Sequence, residues 1–548
     1  MGLFNKKSAS LTDDSSPEKD VSHSHHATTT TQDPVAPLIA EQKITFMAVF
    51  LGLVASIGGF MFGYVSGQIS GFFDMKDFAQ RFGDYDMYTD TIVFTAARQG
   101  AIVGLLPAGC LFGSLIAGKI ADSMGRRLAI SVSALSCCVG TIIEISSSTS
   151  WAQFAVGRLI TGLGIGSLSV LVPMYQSESS PARIRGVLIS LYQLFITLGI
   201  WTAEMINYGT HSMDSSASWR ITSGISFLWA LILGGGILFL PESPRYAYRM
   251  GREDEARRTI ARLAGIAPNA ASVNFQIDEI REKLDEERAG AATHWYEIFT
   301  GPKMLYRTLL GMILQTGQQL TGANFFFYYG TTIFRATGLS DSYVTQIILG
   351  SVNVGCTFGG LYVVRAYSRR NALMVGAAWM MMCFLVYSFV GHFVLDPENP
   401  QNTPQAGNVL IVFSCFFIVA FATTWGPLVW TVVAELYPAQ YRAPAMAVAT
   451  ASNWFWNFMM SFFTRFITDS IGYLYGLVFA GCCAALIVIV FFFLIESKDR
   501  TLEEIDTMYM LGVNPITSHK WVDTGAKSPR TDSHKADQSE RSDDGVIA

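Results

Sequence analysis

Charge is what this chain has least of. Asp, Glu, Lys and Arg make up only 15% of its 548 residues, whereas soluble domains carry roughly a quarter. A water-soluble globule of this length would expose far more charge, so that class is excluded. Cysteine chemistry is missing too. Cys110, Cys137, Cys138, Cys356, Cys383, Cys415, Cys482 and Cys483 all lie inside apolar runs, and none forms a Cys-x2-Cys pair. They read as small packing residues rather than disulfides or metal ligands. No Asn-x-Ser/Thr sequon falls in the loops expected to face outward. A Gly-rich nucleotide-binding loop is also absent, and with it any expectation of nucleotide-driven work.

What the chain has instead is apolar length. Half of its residues are hydrophobic and 13% are aromatic. Runs of about 20 apolar residues, enough to cross roughly 30 Å of hydrocarbon, recur along it. They cover 45–70, 98–118, 128–147, 152–177, 186–207, 219–240, 307–334, 343–364, 371–394, 409–433, 443–466 and 471–495. These twelve runs predict an all-α membrane protein with twelve transmembrane helices. The first begins after a polar stretch of about 40 residues, too far in and too long to be expected as a cleaved leader.

The net charge of −5 hides a sorted distribution. Arg126, Arg127, Arg183, Arg185, Arg245, Arg249, Arg369, Arg370 and Arg442 fall on one side of a twelve-span bundle. Asp74, Asp77, Asp84, Asp86, Asp90, Asp396 and Glu398 fall on the other. An excess of Lys and Arg marks the cytoplasmic face, so both termini are expected there, and an even number of spans requires the same.

Residues 1–42 and 511–548 are polar and are expected to be disordered tails. His23, His25 and His26 in the first tail read as a chance cluster rather than a metal site. Two bundles of six spans, 43–244 and 301–510, flank a mixed-charge segment, 245–300. There Ile260, Leu263, Ile277, Ile280 and Leu284 recur at helical spacing, predicting short amphipathic linker helices that couple the bundles on the cytoplasmic face. In the first run Gly59, Gly63, Gly67 and Gly71, spaced by four, share one helix face and let another backbone approach. Gly109-x3-Gly113 and Gly162-x-Gly164-x-Gly166 read the same way.

The two bundles look like copies. Glu178-x2-Pro181-x3-Arg185-Gly186 returns as Glu435-x2-Pro438-x3-Arg442-Ala443, and Glu242-Ser243 returns as Glu496-Ser497. More weakly, Gly125-Arg126-Arg127 returns as Ser368-Arg369-Arg370. The pairs keep their order half a chain apart. Many secondary transporters are built from such repeats, with the substrate between the halves.

Polar side chains at membrane depth are costly, so they face the bundle interior or a cavity. Here they are mainly amides: Gln193, Gln315, Gln318, Gln319, Asn324, Asn353, Asn453 and Asn457. An amide offers two donors and two acceptor lone pairs. That suits the alternating hydroxyls of a neutral polyol such as a sugar, with no charge to desolvate. A single amide reads as interhelical glue, but the group packed into Gln315–Asn324 reads as a ligand site. Phe325 to Tyr329, Trp425, Trp430, Trp454 and Trp456 offer aromatic faces for sugar C–H groups. Few charges lie at mid-span, which disfavours ions or amino acids as cargo. Glu144 and Glu204 fall near the outer ends of their runs, where water is expected to reach them.

Several longer motifs occur in order: Gly118-x3-Asp122-x2-Gly125-Arg126-Arg127, Pro173-x-Tyr175-x2-Glu178-x2-Pro181-x3-Arg185-Gly186 and Pro241-Glu242-Ser243-Pro244-Arg245. Gln318-Gln319-x2-Gly322-x-Asn324-x3-Tyr328-Tyr329 and Gly426-Pro427-x2-Trp430 follow. Together they closely resemble the sugar porter family of the major facilitator superfamily, over residues 45–510 or so. Gly67-Gln68-Ile69-Ser70-Gly71 looks most like fungal hexose transporters. The resemblance implies two pseudo-symmetric six-helix bundles with a central hexose site at Gln193, Gln318, Gln319, Asn324, Asn353, Trp430 and Asn453. It also implies charge clusters that latch a closed inner gate: Asp122, Arg126, Arg127, Glu178, Arg185, Glu242, Arg245, Glu435 and Arg442. The implied activity is a plasma-membrane hexose (glucose) transporter working by alternating access. No cofactor is implied and no nucleic acid. The partners are a sugar and the lipid bilayer; a monomer suffices for transport, and the oligomeric state stays open.

The chain departs from the family at three places. Gly63-Tyr64-Val65-Ser66-Gly67 carries Val65 where the family commonly has an Asp, the protonation site of proton-coupled members. Valine cannot titrate, so facilitated diffusion is expected. The second loop motif reads Arg365-x2-Ser368-Arg369-Arg370, a cation where an anion belongs, which should weaken the latch in that half. Ile495 replaces the Pro that often precedes the Glu-Ser/Thr pair. Two other readings stay open: a sugar sensor with little or no flux, and a proton symporter using another acid such as Glu144 or Glu204. The order among glucose, fructose, galactose and xylose stays open as well.

Overall fold

The computed structural model describes residues 45–521 other than 88–89, 182–183, 291–295, 336–341, 397–401, 499 and 501. The tail 1–42 with its three histidines, the end of the second tail, Arg183 and Glu398 lie outside the described residues, as do the side chains of Asp86 and Arg185.

Helices α1 (Phe46–Phe72), α2 (Lys76–Phe82), α3 (Ala96–Met124), α4 (Arg126–Ser146), α5 (Trp151–Ser179), α6 (Arg185–Thr210) and α7 (Ala217–Gly236) build the first half. Linker helices α8 (Pro244–Arg249), α9 (Glu253–Ala264), α10 (Ala271–Gly290) and α11 (Glu297–Thr300) follow. The second half holds α12 (Met304–Leu320), α13 (Ala323–Arg335), α14 (Ser342–Ala366), α15 (Arg369–Phe393), α16 (Pro404–Thr423), α17 (Trp425–Glu435), α18 (Ala439–Ile471) and α19 (Tyr475–Phe493), and α20 (Leu502–Met510) comes after it. Among the described residues, nine helical stretches are long and apolar enough to cross a membrane, and one of these, Pro444–Phe493, takes in α18 from Pro444 onward and all of α19. With α6 and the consecutive pair α12 and α13, the spans number twelve, six in each half.

Two of the apolar runs prove to be broken helices. At the end of α12 Gly322 has φ +90, a left-handed conformation that glycine alone adopts freely. A Cβ there would press on the rings of Phe384 and Phe479. Between α16 and α17 the break is at Thr424, with φ −126 and ψ −82. Helix starts are capped by short hydroxyl side chains, as the orphan N–H groups require: Thr45, Ser150, Ser243 and Ser368 each accept a backbone N–H three residues on.

The small residues let helices touch. A Cβ on Gly59 or Gly63 would collide with the carbonyls of Tyr192 or Ile196, so α1 lies directly on α6. Gly109, Gly162 and Gly166 seat α3 on α5 in the same way. All eight cysteines are free thiols, none of them exposed.

Between α1 and α3 the chain forms a cap. Phe78 and Phe82 of α2 enter an aromatic cluster with Phe72, Phe154 and Trp219. β1 (Asp84–Asp86) pairs antiparallel with β2 (Thr91–Val93), Asp84 opposite Val93. Asp77 accepts hydrogen bonds from Arg81 at 2.6 Å and Trp219 at 3.0 Å. This cap marks the hairpin side of the bundle; the repeated charge motifs lie at the other end, the motif side. There Ile260, Val273 and Ile277 of the linker pack together, and Thr45 donates to the Leu263 carbonyl at 2.7 Å.

Residues 511–521, expected to be disordered, are instead folded back on the motif side. Ser518 is fully buried and accepts the Glu496 N–H at 3.0 Å. Arg500 donates to the carbonyls of Ser518 and Trp521 and lies over the Trp521 ring. The backbone leaving α19 thus finds its partners in the tail.

Candidate functional site

Between the halves lies a cavity of about 620 Å³ lined by side chains of both, within the usual size range of small-molecule sites. All seven residues expected at a central site, Gln193, Gln318, Gln319, Asn324, Asn353, Trp430 and Asn453, line it. The break at Gly322 lies between Gln318, Gln319 and Asn324, and the break at Thr424 precedes Trp430, while Gln193, Asn353 and Asn453 come from the unbroken α6, α14 and α18. Gln318 donates to the carbonyls of Trp425 (2.9 Å) and Gly426 (3.0 Å), tying the end of α12 to the start of α17. Asn453 on α18 is the hub: its Nδ2 donates to Gln315 Oε1 and Gln318 Oε1, each at 2.8 Å, and its Oδ1 accepts Gln319 Nε2 at 3.0 Å. Asn324 Nδ2 donates in turn to Gln319 Oε1. Gln193 on α6 and Asn353 on α14 line the cavity with no side-chain hydrogen bond among the described residues.

The cavity also holds residues that the sequence did not single out. Among the described residues, Tyr192 OH and Ser66 Oγ line it without a hydrogen-bond partner. Of the aromatics, Phe327, Tyr328, Trp430 and Trp454 reach the cavity, whereas Phe325 and Phe326 belong to the core of the second half. Trp425 is fully buried with its N–H donated to the Leu373 carbonyl at 2.9 Å. It holds the helix break rather than facing the cavity. Tyr329 donates to the Ser461 carbonyl, and Trp456 is not in the lining.

The cavity is asymmetric along the bundle axis. Toward the motif side it continues past Thr431 and Ala434 to Arg365, an exposed side chain. Toward the hairpin side the halves are joined. Tyr343 OH donates to the Gly71 carbonyl at 2.7 Å and Gln346 to Ser70 Oγ at 3.3 Å. Thr331 donates to the Ser70 carbonyl and Trp201 to Ser351 at 2.9 Å, while His211 stacks on Tyr343 with ring centroids 4.5 Å apart.

Glu144 and Glu204 are not at water-reached ends. They are only 1% and 3% exposed, because α5 covers the first and α14 the second. Glu144 accepts from Thr161 at 2.8 Å.

The charge clusters repeat on the motif side. In the first half Arg126 grips Glu178 with two bonds of 2.9 and 3.0 Å and touches Asp122 at 3.3 Å. Glu242 accepts the N–H groups of Arg126 and Arg127 at 3.1 and 3.4 Å, capping α4, and Ser243 donates to Glu178. Arg249 adds a pair with Asp122 at 2.8 Å. The second half repeats the plan: Glu496 caps α15 through the N–H groups of Arg369 and Arg370, and Ser497 donates to Glu435 at 2.6 Å. Arg369 meets Glu435 only singly, at 3.5 Å, and Arg365 occupies the place of Asp122. Arg442 donates to the Tyr437 carbonyl, and Arg245 is half-buried on α8. Each of these ion pairs joins residues of one half, or in the case of Arg249 the linker and the first half, so none of them bridges the halves on the side where the cavity continues.

Comparison with known proteins follows the same lines. The family model described as "Sugar (and other) transporter" matches residues 51–509. The high-affinity glucose transporter ght2 of Schizosaccharomyces pombe is 44% identical over 85% of this chain and 88% of its own length. The high-affinity fructose transporter ght6 of the same yeast is 44% identical over 89% and 92%. The low-affinity glucose transporter HXT3 of Saccharomyces cerevisiae is 43% identical over 88% and 85%. Among solved structures, the xylose transporter XylE from E. coli in a partially occluded inward open conformation covers 83% of this chain and 100% of its own, with a TM-score of 0.69 at 23% identity. XylE bound to 6-bromo-6-deoxy-D-glucose gives a TM-score of 0.70, with 85% and 100% covered at 23% identity.

Proposed function

The chain belongs to the sugar transporter family of multi-pass membrane carriers, and on that premise we propose that it moves hexoses across the plasma membrane by facilitated diffusion. Glucose is the first substrate to test, since glucose transporters stand among the similar yeast proteins, with fructose the second. The observation that carries the reading is the convergence of seven amide and Trp side chains from both halves on one cavity. In this scheme Gln193 and Asn353 meet the sugar with free amides, the Asn453 hub presents a pre-oriented donor–acceptor edge, and Trp430 covers a C–H face. The Arg-rich motif side is assigned to the cytoplasm by the positive-inside rule, which makes this an inward-facing state with the outer layer sealed. Alternating access then requires the seal to part and the motif side to close, with the Arg126 and Arg369 clusters biasing that equilibrium.

Facilitation rests on Val65. Its carbonyl accepts Arg158 Nη1 at 3.1 Å, so the buried guanidinium meets a backbone oxygen where proton-coupled relatives would offer an acid. The test is Asn353→Ala with glucose binding and uptake both measured in liposomes. Loss of both at unchanged protein insertion is expected; unaltered binding would move the substrate out of this cavity.

A further inference from the structure

We propose that Glu204 is a proton-binding site built into the seal between the halves, holding a proton while the seal is closed and releasing it when the seal opens. Resting on the two-state reading above, the proposal deepens it. Glu204 projects from α6 onto α14, where Gly350 leaves just enough room: a Cβ on Gly350 would collide with Glu204 Oε2. That oxygen has no hydrogen-bond partner among the described residues, and the residue is 3% exposed. An ionised carboxylate in this place would have almost no solvent and, among the described residues, neither a cation nor a donor at that oxygen, a poor setting for a charge. The neutral acid fits it.

No other titratable group on the packed elements answers Glu204. On α1, Tyr64 donates to the Thr222 carbonyl. On α5, Arg158 donates to Val65, and on α7 Arg220 donates to the Ser147 carbonyl. On α14, Tyr343 donates to Gly71, and Cys356 and Tyr362 make no hydrogen bond to Glu204. Further out on the chain of α6, Tyr208 and His211 interact with each other and His211 with Tyr343. Tyr175, Glu178, Arg185, Tyr192 and Arg365 lie toward the motif side.

Glu204 sits one helical turn beyond Ile200 and Gly350 one turn beyond Asn353, yet neither is in the cavity lining. A proton taken up from the hairpin side therefore returns to that side. Acid on the hairpin side favours the sealed state and alkali the open one, by up to about tenfold per pH unit, and no proton crosses with the sugar. This is gating by protons without proton coupling.

The test needs no sugar, so it stands even if the cargo is not a hexose. Ser70→Cys places a thiol in the seal, and an impermeant thiol reagent reports its opening from the hairpin side between about pH 5 and pH 8. Thiol ionisation adds its own slope, so rates are divided by those of the Ser70→Cys, Glu204→Gln protein. The expected ratio rises with pH, because Gln mimics the neutral acid at every pH. A flat ratio overturns the proposal. Gly350→Ala provides a second arm: it should hold the seal open at all pH values, and adding Glu204→Ala should restore closure. Failure of that rescue also counts against the site. Glucose-driven proton uptake into liposomes that disappears in Glu204→Gln would overturn the one-sided exchange.

Discussion

Asn453 shows what a single side chain decides here. It bonds to three glutamines at once, and each buried polar group left without a partner costs about 1–3 kcal/mol. Asn453→Ala is therefore expected to weaken glucose binding by roughly tenfold or more, read by titration of the purified protein. Unchanged affinity would reduce the hub to interhelical glue. Val65→Asp places an acid beside Arg158, whose Nε and Nη2 have no hydrogen-bond partner among the described residues. Uptake into liposomes is expected to gain a dependence on an imposed pH gradient that the parent protein lacks. The amides were readable in the sequence because a Gln or Asn at membrane depth is expensive and must have a use. Ser66 and Tyr192 were not: a serine hydroxyl on a helix is often satisfied by its own backbone, and a tyrosine, with an apolar ring and a polar tip, is ordinary in a bundle core. Trp425 misled for the opposite reason. It has the right chemistry, but its N–H is committed to Leu373.

At the scale of elements, the repeated motifs cap and clamp helix ends within each half. The second clamp is the looser one: Arg369 has a single 3.5 Å contact where Arg126 has two bonds to Glu178 and one to Asp122. Arg365→Asp restores an i,i+4 partner for Arg369. It is expected to stabilise that half by about 0.5 kcal/mol, seen as a small rise in melting temperature in detergent. A lower melting temperature would show that Arg365 has a role of its own. The cap on the hairpin side carries a pH signature. Burial pushes the Asp77 carboxyl up, but hydrogen bonds from Arg81 and Trp219 outweigh it and hold the group below its ordinary value. A carboxylate depressed in the folded state stabilises above its unfolded pKa of about 3.9 and loses that contribution as pH falls through the lower, folded value. Resistance of the α2 cap to proteolysis is therefore expected to hold from neutral pH down to about 4 and to fall below it, with Asp77→Asn weak throughout. Apolar runs located the helices but not the breaks at Gly322 and Thr424, because hydropathy registers composition and not φ. The docking of 511–521 was equally hidden, since its polar residues bind one another and the backbone beside Glu496.

For the whole molecule, the duplication foretold a site between two halves, and the cavity is there. What no pattern of residues could foretell is which side is closed. The Arg126 and Arg369 clusters pair within their own halves, so what closes one side is the set of contacts between halves, such as Tyr343 with Gly71 and Trp201 with Ser351. The measurement that tests the account most directly is labelled glucose uptake by purified protein in liposomes, with and without an inward proton gradient. Internal glucose is expected to rise saturably to the external concentration and stop there, at the same plateau under both conditions. Accumulation above that plateau, or glucose binding without uptake, would contradict a facilitator.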